Sequence, residues 1–124
     1  MSLISWGLVL SAVLLGSLAQ LLLKVGTTAI GHFTFTSDNL LPIGWKLATQ
    51  PYIMGGMLFY ALSLVLWLMA LSRLEVSVAY PLVSLGYVLT ALAAWFFLGE
   101  SLSTLRLLGI GVIMLGALLV AKSA

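Results

Sequence analysis

LISWGLVLSAVLLGSLAQLLLK, Leu3 to Lys24, is the stretch that decides the class of this protein. Up to Leu23 it carries no charged residue, and its length matches the ~20 residues a helix needs to cross ~30 Å of hydrocarbon. It lacks the positive n-region of a cleaved signal peptide and outruns the usual apolar core of ~7–15 residues, so a retained first helix is expected. Two polar residues, Gln20 and Lys24, interrupt its far end and ask for a reason.

The rest of the chain has the same character. Of 124 residues, 63% are hydrophobic and 6% charged. A soluble domain carries roughly 25% charged residues. Mean hydropathy is +1.26, that of an integral membrane protein. Five Lys/Arg against three Asp/Glu is too thin a basic surplus to argue for nucleic acid. There is no cysteine, and His32 is the single histidine, so neither a thiolate site nor a zinc site is expected, and no cofactor is implied. The sequence shows no Ser/His/Asp set and no phosphate-binding loop, which argues against an enzyme and against ATP hydrolysis.

Four apolar segments are expected to span the membrane within one domain, 1–124: residues 3–24, 51–72, 76–98 and 103–121. Backbone groups in lipid must be satisfied internally, and the period-2 alternation of a membrane barrel is absent, so the fold class is all-α. The turns SRLEVS and GESLST are short and make their flanking helices antiparallel neighbours. Ser77 is a candidate cap for the third helix, Ser101 or Ser103 for the fourth, and Gly99 suits the end of the third. The long connection, 27–50, contains SDNLLPIGWKLATQP up to Pro51. Ser37 and Asp38 suit a helix start, Pro42 its first turn, and Pro51 the start of the next helix. A short interfacial helix is expected there, with a plain structured loop as the alternative.

Four helices bury little of their own surface, so a functional dimer is expected. Small residues mark close helix approach: Ala12 and Gly16 in the first helix, Gly109 and Gly116 with Gly111 and Ala117 in the fourth. Gly109 and Gly116 are the candidate dimer interface; packing within one chain is the alternative. With the N-terminus inside, Arg73 and Lys122 face the cytoplasm, and Lys24, Lys46 and Arg106 face out. That balance sets no orientation by the positive-inside rule. An antiparallel homodimer, a heterodimer with a related small subunit, and one fixed orientation all stay open.

VSVAYPLVSLGYV opening the third helix, FFLGE closing it, and LLGIGVIMLGALLV as the fourth together resemble the drug/metabolite transporter superfamily in its four-helix, EamA-like form. Two branches compete. In the small multidrug resistance family a membrane-buried glutamate stands eight residues before a lysine of the first helix; counting back from Lys24 gives Gly16. That family's pocket tryptophan, three residues after the third-helix tyrosine, corresponds to Val83. AQLLLKVG and LWLMALSRLEVSVAYPLVSL look more like the small subunits that flip aminoarabinose-linked undecaprenyl phosphate. The resemblance implies a bacterial inner-membrane flippase of a polyprenyl-phosphate-linked sugar, working by alternating access in a dimer and in contact with membrane lipids. A small cation exporter and a non-transporting structural subunit are the alternatives.

Candidate substrate-binding residues follow. Lys24 lies 18 residues beyond Trp6, or about 27 Å along a helix, which brings it to headgroup depth. It is either a snorkelling residue or, as the resemblance implies, a partner for a lipid phosphate. Gln20 shares its face one turn deeper. Tyr80, Ser84 and Tyr87 are spaced for one face of the third helix, and Tyr60, Ser63 and Trp67 for one face of the second. Each set suits either packing or a groove. Pro81 and Gly86 are candidate hinges. Arg106 is a snorkelling or headgroup-binding charge, and Glu100 a candidate cap for the fourth helix or partner for Arg106.

Overall fold

The computed structural model describes residues 2–34 and 36–123. Six helices follow in chain order: α1 (Leu3–Ile30), α2 (Leu40–Thr49), α3 (Pro51–Leu71), α4 (Val76–Leu82), α5 (Ser84–Phe97) and α6 (Thr104–Ser123). Among the described residues there is no strand. Helix α1, helix α3, the α4–α5 stretch and helix α6 are each long and apolar enough to cross a membrane.

The ends of these helices follow local chemistry. Ser2 caps α1 by accepting from the Ser5 amide at 3.1 Å. Helix α1 runs past Lys24 to Ile30, into what the sequence reads as the start of the loop. Thr27 and Thr28 direct their hydroxyls back to the Lys24 carbonyl, and Gly31, at φ 92°, ends the helix. Gly26 does not break it because its missing side chain is used for packing. The expected first-loop helix forms as α2, with Pro42 in its first turn. Its start is organised by Asn39, whose Oδ1 accepts from the Thr36 amide at 2.7 Å, and not by Ser37 or Asp38. Pro51 opens α3, and the Gln50 side chain caps it through the Ile53 amide at 2.8 Å. Glu75, not Ser77, occupies the cap position of α4. Ser103 accepts from the Arg106 amide at 3.2 Å at the start of α6, and Gly99 takes φ 70° after α5.

The third span is two helices. Pro81 has no N–H to offer the Ser77 carbonyl, and the chain tightens at Val83 into two i→i+3 bonds, Val83 N to Tyr80 O and Gly86 N to Val83 O. The Ser84 hydroxyl donates to the Pro81 carbonyl at this break.

Helices α1 and α3 are antiparallel and form the densest contact. Gly16 lies against Ser63, Leu23 against Gly56, and Gly26 against Ile53. A Cβ on Gly56 would stand 2.9 Å from Leu23 Cγ and 3.1 Å from the Ala19 carbonyl oxygen, so only glycine permits this approach. Helix α5 crosses α1 where Ser17 Oγ donates to the Gly86 carbonyl at 3.1 Å. Helix α6 packs on α4 and α5 through Ala117 and Ala121. The core gathers at one end of the bundle, where Val9, Val13, Ala70, Leu82 and Ala121 meet under Trp6, Trp67 and Leu74. Among the described residues, Leu82 and Val9 are the largest side chains buried completely, while leucines and methionines cover the outside. That distribution suits lipid as solvent, which removes the penalty water imposes on an apolar exterior.

Candidate functional site: a lateral cleft

The core fills one end of the bundle, and beside it the tightly packed α1–α3 pair and the α4–α5 stretch line a cleft. Its upper part, about 250 Å³, lies between Trp67 and Tyr80 at the core end and Gln20, Tyr87 and Thr90 below. Trp67 and Tyr80 meet edge to face, ring centres 6.1 Å apart, in the aromatic geometry that favours a T-shaped pair. Ser17, Tyr60 and Ser63 add hydroxyls to the walls, and Ala12, Val13 and Leu64 add apolar surface. A second, wider part of about 650 Å³ shares Gln20, Tyr87 and Thr90 and continues to Lys24, Leu98 and Glu100. The cleft therefore runs from an aromatic, neutral end to a charged mouth at the end opposite the core.

It opens sideways as well as at the mouth. Tyr60, Tyr80 and Tyr87 are 47%, 62% and 65% exposed although they line it. In a membrane that side faces acyl chains, so an amphiphile has access to the polar walls without leaving the lipid phase.

Of the residues singled out in the sequence, Gln20, Lys24, Tyr60, Trp67, Tyr80 and Tyr87 all line this cleft. Ser84 does not; it is turned to the Pro81 carbonyl. The reason is the helix break. A 3₁₀ turn eclipses i and i+3, so Val83 takes the place beside Tyr80 that continuous α-helical spacing assigns to Ser84. Arg106 lies outside both parts of the cleft, its guanidinium donating to the Ser101 carbonyl at 3.0 Å. Pro81 sits at the break itself, and Gly86 lines the cleft where α5 crosses α1. Gly109 and Gly116 have open space where a Cβ would stand, so the face of α6 that carries them is uncovered in the single chain.

Sequence reasoning missed Ser17 and Thr90. Thr90 was findable, three residues after Tyr87 on one helical face. Ser17 was not, because its partner is a backbone carbonyl on another helix. Gly16 and Val83, where the multidrug resemblance expects glutamate and tryptophan, both line the upper part, which therefore has no carboxylate in its wall. The one acidic residue of the cleft is Glu100, at the mouth.

The EamA-like transporter family matches residues 1–122 of this chain. The chain is also similar to proteins named probable 4-amino-4-deoxy-L-arabinose-phosphoundecaprenol flippase subunit ArnF in several bacteria. The Serratia proteamaculans protein is 37% identical, with 97% of this chain and 92% of the relative aligned. The Shewanella sediminis protein is 40% identical over 91% of this chain and 84% of the relative. The Erwinia tasmaniensis protein is 39% identical over 93% and 92%. No solved structure matches the chain at a significant level. Four apolar helices of membrane-spanning length, and a family match over residues 1–122, lead to one conclusion: this chain belongs to the EamA-like transporter family.

Proposed function

We propose that this chain is a subunit of an inner-membrane flippase for a polyprenyl-phosphate-linked aminosugar, a transporter and not an enzyme. The observation that carries this reading is the cleft, with neutral hydrogen-bonding walls, a lysine at its mouth and a side open to lipid. Gln20, Tyr60, Ser63, Tyr87 and Thr90 offer donors and acceptors that suit a sugar, and Trp67 and Tyr80 offer ring faces and edges. Lys24, at headgroup depth, would hold the phosphate through charge-assisted hydrogen bonds. The polyprenyl tail would stay among the acyl chains beside the open wall. The names of the relatives supply the substrate class: they are called flippase subunits for an aminoarabinose carried on phosphoundecaprenol.

The core closes one end of the bundle and leaves the cleft open at the other, which is the form one arm of an alternating-access cycle would take. Pro81 and the tight turn at Val83 give the third span a place to bend toward the opposite arm. A dimer, with a second copy or a related small subunit, would cover the open face of α6 at Gly109 and Gly116. Reconstituted vesicles test the reading. Labelled lipid-linked aminosugar should cross with wild-type chain and its partner, and Lys24→Ala should slow crossing on the order of tenfold or more, from loss of a charge-assisted bond. Unimpaired flipping by that variant would remove Lys24 from the mechanism.

A further inference from the structure

The mouth of the cleft carries two opposite charges, and a phosphate engages only one of them. Lys24 on α1 and Glu100, just past the end of α5, line the same wide cavity. Both side chains are exposed, and neither is tied by an ion pair or side-chain hydrogen bond to another described residue. The cation nearest to Glu100 in sequence beyond the turn, Arg106, is occupied with the Ser101 carbonyl. Gly99, at φ 70°, turns the chain so that Glu100 follows directly on the end of α5, and the Glu100 amide donates to the Ala94 carbonyl at 3.3 Å. The carboxylate is thus held at the rim by the backbone while its oxygens remain available.

A purely anionic headgroup has no use for a carboxylate there; like charge at a binding site works against affinity and serves to reject the wrong ligand. A ligand with both charges uses both residues. Resting on the flippase reading, we infer that Glu100 is the specificity determinant for a primary ammonium on the sugar, so that the mouth recognises a zwitterionic headgroup, phosphate on Lys24 and ammonium on Glu100. An ammonium has three donors and a carboxylate only acceptors, so the pair is chemically complete. The neutral upper cleft, with no carboxylate in its wall, leaves the reading of the amine to this one position.

The test uses the full chain with its partner in nanodiscs of phosphatidylethanolamine and phosphatidylglycerol, titrated with phosphoundecaprenol bearing an aminopentose and with its N-acetylated counterpart. Tryptophan fluorescence is the readout, since Trp67 lines the cleft. Wild type should bind the free-amine lipid on the order of tenfold more tightly than the acetylated one, the scale of one hydrogen bond between charged groups. Glu100→Gln should remove that preference, weakening the free-amine lipid and, with the like charge gone, strengthening the acetylated one if it changes it at all. Glu100→Asp should retain part of it, which separates charge from folding. Lys24→Gln should weaken both lipids alike, because both carry the phosphate. A preference that survives Glu100→Gln, or equal wild-type affinity for the two lipids, overturns the assignment of Glu100 and leaves the phosphate reading intact where Lys24→Gln weakens both. Wild-type binding of neither lipid overturns both readings.

Discussion

Replacing Gly26 by alanine sets two effects against each other, and the geometry says which wins. In a helix interior alanine is favoured over glycine by about 0.8–1.0 kcal/mol. At Gly26 the new methyl would stand 2.8 Å from Gln50 Oε1 and 3.0 Å from the Ile53 amide nitrogen, with the Ile53 side chain closer still. The amide is backbone and cannot rotate away. Overpacking of this kind costs about 1–3 kcal/mol. The displaced Gln50 oxygen is also the cap of α3, worth about 1 kcal/mol. Net destabilisation of about 1–3 kcal/mol is expected. Gly7→Ala is the control: it lies in the same helix with nothing within 4 Å of the new methyl, so only the favourable helix term applies. Equilibrium unfolding in mixed micelles, followed by helical circular dichroism, reads both. The two substitutions should move the midpoint in opposite directions. If Gly26→Ala shifts it the same way as Gly7→Ala, the close contact of α1 with the start of α3 is wrong.

Three further outcomes are expected. Ser17→Ala deletes the α1–α5 hydrogen bond and should lower stability by about 0.5–1 kcal/mol in the same unfolding assay, with Ser17→Thr closer to wild type; no change would mean the bond contributes nothing. Tyr80→Ala removes the edge partner of Trp67 and widens the closed end of the cleft, so Trp67 should become more accessible to an aqueous quencher, with Trp67→Phe identifying its share of the signal. Gly109→Leu and Gly116→Leu project bulk from an open face, so each should leave the fold of one chain intact by circular dichroism but reduce crosslinked dimer several-fold; full crosslinking would place the interface elsewhere.

Much of the architecture was legible from residues alone. The first-loop helix, the proline that opens α3, the serine that caps α6 and the glycine that ends α5 are all where local propensity puts them. So was most of the cleft, since Tyr60, Ser63 and Trp67 share one helical face and Gln20 and Lys24 another. The misreadings are equally local in origin. The sequence ends the first span at Lys24, where the apolar run meets a charge; there Thr27 and Thr28 return their hydroxyls to the Lys24 carbonyl and the helix continues to Ile30. Ser84 looked like a cleft residue because 3.6-residue periodicity was carried across a proline that resets the phase.

The number of spans and their helical nature depend only on the amino-acid order, because in hydrocarbon every backbone group must be satisfied internally, and a continuous apolar run of spanning length without the period-2 alternation of a barrel strand then dictates a helix. Which faces meet is a different matter. Spacing along one helix ranks its faces but does not say which neighbour each one finds. That Ser17 reaches Gly86, that Gly56 admits Leu23, and that Lys24 and Glu100 share the rim of one cavity are results of packing between distant segments. Packing in lipid is decided by shape and hydrogen bonding between surfaces, not by the hydrophobic effect that makes soluble cores readable from pattern. The charged mouth of the cleft, and with it the chemistry this chain offers a headgroup, exists only once α1 and α5 stand side by side.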